Sequence, residues 1–139
     1  MPSRNDYISD NIRKLVTQRA ENRCEYCLIH EDDTYIGCEI DHIISIKHNG
    51  SNQDSNLALA CLPCNRFKGS DIASLTDLGG LTPFFNPRKG IWSEHFLIMG
   101  CLIIGITDIG KVTAQILKFN EEQRVEERQS LQEMGLFPF

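Results

Sequence analysis

A chain of 139 residues, 41% hydrophobic and 24% charged, suits one soluble globular domain with a core of modest size. Its formal net charge of −5 excludes a broad basic field for non-specific nucleic-acid binding, and both halves share the deficit: residues 1–68 hold 8 basic and 10 acidic side chains, residues 69–139 hold 6 and 9. The longest apolar run, FLIMGCLIIGI, is about half of the roughly 20 residues that a membrane-crossing helix needs, so core strands and no membrane contact are expected.

The opening stretch MPSRNDYISDNIRK lacks the apolar core of a secretory signal, which predicts an intracellular, cytoplasmic protein. In SDNIRKLVTQRAENR, Ile12, Leu15, Val16 and Ala20 recur at helical spacing, and Ser9 or Asp10 can cap the helix. EDDTYIG is polar and reads as a loop. CEIDHII is a short strand, KHNGSNQDSN a long turn-rich loop, and LALA a second strand. Pro63 fits the first turn of a following helix that stops near Gly69. SDIASLTDLGGL is expected to add a short helix, and FFNPRKGIWSEHF is irregular. HFLIMGCLIIGIT predicts two strands meeting near Gly100, and Thr107 can cap a helix with Val112, Ile116 and Leu117 inward. The last helix, NEEQRVEERQSLQEM, takes Asn120 as its cap and reads as a solvated charged face. No linker splits the chain, so residues 1–139 are expected to be a single domain.

Cys24 and Cys27 share the two-residue spacing of Cys61 and Cys64, and 33 residues separate the pairs. With no secretory signal, such pairs read as a zinc site rather than as disulfides. Cys38 and Cys101 read as small apolar residues. Between the pairs, Asp41 at the end of the first strand and Asn65 on the helix can face one point. Both offer oxygen ligands, which suit a hard ion such as Mg²⁺. His42 should point to the other side of the strand and can serve as a general base.

EIDHIISIKHNG…DSNLALACLPCNRFKG resembles the HNH endonucleases, with Asp41-His42, Asn56 and Asn65 matching an H-N-N variant. The four cysteines match the zinc-stapled subset of that family. The resemblance implies an α+β fold: a ββα-metal core over residues 24–69, stapled by zinc, with flanking helices and a C-terminal extension over 70–139 that holds a β-hairpin and helices. It implies hydrolysis of DNA, ahead of RNA, to 5′-phosphate and 3′-hydroxyl ends. His42 would activate water, and Asn56 would pin the loop that orients it. One Mg²⁺ or Mn²⁺ would sit on Asp41 and Asn65, Arg66 and Lys68 would face phosphate, and a homodimer would serve a double-strand cut. The alternative is a zinc-stapled module that binds nucleic acid or protein without cutting.

Overall fold

The computed structural model describes residues 7–138, so part of the polar opening stretch lies outside the described residues. Helix α1 (Asp10–Arg19) starts where Ser9 Oγ accepts from the Ile12 N–H at 3.2 Å, which selects Ser9 as the cap. Strands β1 (Cys38–His42) and β2 (Leu57–Cys61) pair antiparallel, Cys38 opposite Cys61 and His42 opposite Leu57. Helix α2 (Leu62–Lys68) follows at once, with Pro63 in its first turn. Every residue of β2 is buried, as its unbroken apolar sequence requires. Leu57 and Leu59 face Ile8 and Val16 of the α1 region. Ala58 and Ala60 face the main core with Ile43, Phe84 and Phe96.

Residues 70–81 depart from the expected short helix. Strands β3 (Ala73–Leu75) and β4 (Leu81–Pro83) form a hairpin instead. Its turn is closed by the Thr76 N–H donating to Gly80 O at 2.9 Å and the Gly79 N–H donating to Thr76 O at 2.8 Å. Gly79 sits at φ +86°, a conformation that a side chain would oppose. The Gly-Gly pair therefore favours a turn over a helix here.

A further hairpin, β5 (Phe96–Met99) with β6 (Leu102–Gly105), turns at Gly100 as the sequence predicts. Thr107 Oγ1 accepts from the Gly110 N–H at 3.0 Å and caps α3 (Asp108–Ile116). Two expectations fail at α4 (Glu122–Glu133). Asn120 is not its cap: its amide accepts from Ile103 N–H at 2.9 Å and donates to Ile103 O at 2.8 Å, satisfying both backbone groups of a core strand residue. Nor is the helix wholly solvated, because Arg124, Arg128 and Leu131 form a buried stripe.

Phe96 anchors the main core, with the rings of Trp92, Phe85 and Phe119 centred 5.0, 5.6 and 5.6 Å away. The irregular stretch before β5 clasps the first cysteine turn. Trp92 Nε1 donates to Tyr26 O at 2.8 Å, and Arg88 pairs with Glu25. The fold is mixed α and β, with four helices and three two-stranded antiparallel sheets among the described residues. No helix among them is long and apolar enough to cross a membrane.

Candidate functional site

The hairpin and helix bring the two cysteine pairs together. Cys24 and Cys27 lie on the turn after α1, Cys61 ends β2, and Cys64 occupies the first turn of α2. All four are buried, and their sulfurs lie within 4.8 Å of one another. Cys27 Sγ is 3.6 Å from Cys61 Sγ. Tetrahedral zinc with Zn–S bonds of about 2.3 Å needs sulfurs about 3.8 Å apart, so the donor set fits that ion. The N–H groups of Tyr26 and Cys27 each donate to Cys24 Sγ at 3.4 Å, which fixes that sulfur within the turn. Arg124 Nη2 lies 3.1 Å from Cys64 Sγ and 3.7 Å from Cys61 Sγ. Burial works against the Arg124 charge, but Cys64, Cys27 and Cys61 outweigh it and hold the guanidinium above its ordinary pKa.

His42 ends β1 on the face away from Asp41. Its Nε2 meets Asn52 Oδ1 at 2.7 Å, and Asn52 Nδ2 donates to Tyr7 O at 3.2 Å. Asn56 holds the loop from the other side. It accepts from Ile44 N–H at 2.9 Å and donates to Ile44 O at 2.9 Å and Ser51 O at 2.8 Å. Gly50 lets this loop close, since a Cβ there would fall 1.6 Å from Ile44 O. A groove of about 420 Å³ opens beside the strand end, lined by Ile43, Ile44, Lys68, Phe85 and His95 among others. His95 itself is held by Thr107 Oγ1 at 2.7 Å and meets the Phe85 ring at a tilt, centroids 5.6 Å apart.

The opposite face of β1 differs from expectation. Asp41 is only 3% exposed, and its carboxylate accepts from Tyr26 Oη at 2.7 Å and pairs with Lys68 Nζ at 3.3 Å. Burial raises the Asp41 pKa despite the opposing pull of Lys68 and Tyr26. Lys68, expected to face phosphate, is 2% exposed and also donates to the carbonyls of His42 and Ile43, both at 3.1 Å. Helix α2 turns it inward toward the buried Asp41 carboxylate, so its ammonium is engaged within the fold. Asn65 donates instead to Glu39 Oε2 at 2.6 Å. Asp41 and Asn65 are thus each joined to another partner rather than to one shared position. A divalent ion does not fit Asp41 in this arrangement, because the Lys68 ammonium already compensates its charge. Arg66 is exposed on the same helix.

Four participants are not marked by the sequence motifs: Asn52, Tyr26, Glu39 and Arg124. Tyr26 stands between the cysteines of the first pair, a position that flags it for contact with the site. Asn52 is one of three asparagines in its loop, and nothing local distinguishes it.

Residues 24–71, which include all four clustered cysteines and the whole ββα unit, match the family model described as HNH endonuclease. No curated protein and no solved structure gives a match.

Proposed function

We propose, from the HNH endonuclease domain that residues 24–71 carry, that the protein hydrolyses phosphodiester bonds of nucleic acid, DNA foremost, with His42 as general base. The observation that carries the reading is the bond between His42 and Asn52. The Asn52 amide nitrogen is engaged by Tyr7 O, so its carbonyl oxygen faces the ring. His42 Nε2 then donates, and Nδ1 keeps the lone pair that takes a proton from water. Asn56 fixes the loop and Asn52 fixes the ring, so the base is oriented before substrate arrives. The activated water attacks phosphorus in line as the P–O3′ bond breaks, and the departing 3′-oxygen takes a proton from solvent, leaving a 5′-phosphate and a 3′-hydroxyl. Exposed Arg66 supplies a local phosphate contact, which the net charge of −5 makes more important. Mg²⁺ or Mn²⁺ on Asp41 and Asn65 would require Lys68 to leave Asp41, and no step is assigned to it.

The four cysteines hold a structural zinc ion in this reading. Four thiolates fill the tetrahedron and leave no position open for water, so zinc supplies fold rather than chemistry. One base serves one strand, so a monomer nicks and a double-strand cut needs a second copy.

The test is cleavage of supercoiled plasmid in Mg²⁺, in Mn²⁺ and with chelator, wild type beside folded, zinc-loaded His42→Ala. Relaxation by wild type and a loss of about 10²- to 10⁴-fold in the variant are expected for a general base. Equal cutting by both would remove His42 from the mechanism. One observation favours a second reading, a zinc-stapled module that binds without cutting: Asp41 is tied to Lys68 and closed to solvent. Salt-dependent DNA affinity with no cleavage in any buffer would select it.

A further inference from the structure

Arg124 presents a problem that the proposed chemistry does not solve. It lies 63 residues beyond Cys61, in a helix outside the matched stretch, yet it is 6% exposed. A guanidinium cannot lose its proton in a protein, so its burial requires hydrogen-bond acceptors and an opposite charge. Leu117 O and Lys118 O accept from Nη1 at 2.7 and 3.2 Å. These carbonyls satisfy donors but carry no net charge. Nη2 donates to sulfur, Cys64 at 3.1 Å and Cys61 at 3.7 Å. Glu127, more exposed on the same helix, also acts on the Arg124 charge but makes no hydrogen bond or ion pair with it. Neutral thiols would therefore leave the buried Nη2 without a charged partner in contact, whereas thiolates around a divalent ion would not. Four thiolates and one zinc ion sum to two excess negative charges in a dry site. That excess opposes retention of the fourth thiolate, and a fixed cation beside two of the sulfurs relieves it.

We infer that Arg124 is the counter-charge of the cysteine cluster, a positioning residue by which the C-terminal helix keeps the metal in place. The inference rests on the zinc reading above. Its geometry is specific to a forked group: one nitrogen is anchored on the carbonyls that end α3, and the other is aimed at the sulfurs. Arg128 is a comparison for the direct contact: the charges of Cys27 and Cys64 act on it as well, but no sulfur accepts its hydrogen bonds. It is 2% exposed on the same helix, but it donates to Cys101 O, Phe119 O and Asn120 Oδ1.

The experiment uses the full chain and begins with the zinc content of wild type. No stoichiometric metal would overturn the zinc reading, and this inference with it. With zinc present, release to a chromogenic chelator is timed for wild type, Arg124→Met and Arg128→Met. Partners that touch a metal's ligands typically contribute roughly 10- to 100-fold to its retention, so Arg124→Met should release zinc faster by that factor. Arg128→Met, which removes a cation near Cys27 and Cys64 but no bond to sulfur, should quicken release by much less. Release from Arg124→Met at the wild-type rate, or equal acceleration in both variants, overturns the inference while the zinc reading stands. If Arg124→Met does not fold, Arg124→Lys and Arg128→Lys carry the same comparison. A point charge cannot span the carbonyls and the sulfurs, so only Arg124→Lys should quicken release. Equal rates for these two overturn the inference.

Discussion

The cysteine cluster and the strand end at His42 lie on one ββα unit but are assembled differently. The cluster takes four identical donors from two short turns, each pair set by its own local spacing. The strand end mixes imidazole, carboxylate, amide and ammonium groups from β1, the following loop, α2 and the first cysteine turn. Identical donors are interchangeable, so bringing the pairs together completes the site. Unlike groups sort by their strongest available pairing. Lys68 neutralises Asp41, Glu39 accepts from Asn65, and only His42 keeps the loop partner that its proposed role needs.

The largest effect should separate the two assemblies. Cys61→Ser removes a ligand worth a share of about 10–16 kcal/mol of apparent zinc binding, a sum comparable to the stability of a whole domain. Loss of the cooperative thermal transition and of bound zinc is expected; a variant that melts like wild type would deny the cluster its structural role. Lys68→Met comes next. It leaves the Asp41 carboxylate buried without its partner and should destabilise by about 3–5 kcal/mol in urea unfolding. Lys68→Met combined with Asp41→Asn should recover part of that loss, and no recovery would mean that the pair is not the cause. Asn52→Ala should leave the melting temperature close to wild type and lower cleavage by up to about 100-fold, the scale of a misplaced catalytic group. Unchanged cleavage would show that His42 orients itself. The smallest effect belongs to Arg66→Gln. It should weaken DNA binding evenly across sequences and reduce the salt slope by about one. A slope identical to wild type would place phosphate elsewhere.

The parts legible in the sequence are those whose partners are near in the chain or share one chemistry. Paired cysteines, a strand–loop–strand order and Pro63 defined the ββα unit, and Thr107 and Gly100 marked α3 and the β5–β6 turn. The burial of Lys68 is not legible, because an exposed and a buried lysine look alike until a carboxylate 27 residues away is placed beside one of them. The Arg124 and Arg128 stripe was hidden for the same reason. Helical periodicity counts apolar residues, and an arginine buried by its acceptors does not register. At 70–81, helix-compatible residues masked a Gly-Gly turn. Asn120 stands in sequence at the end of the nearest helix, but its amide serves Ile103, 17 residues away.

The clasp by Trp92 and Arg88 bears on how the chain can be cut. The matched stretch ends at residue 71, but the carbonyl of Tyr26 and the carboxylate of Glu25 are both held by residues beyond it. Ile29, Ile43 and Ala58 pack in the cluster completed by Phe84, Phe96 and Leu117. An excised 24–71 fragment would expose that apolar face to water and leave the carbonyl of Tyr26, the hydroxyl partner of Asp41, without its Trp92 donor. The motif is therefore not portable as a cassette. A graft into another scaffold must bring the aromatic floor with it.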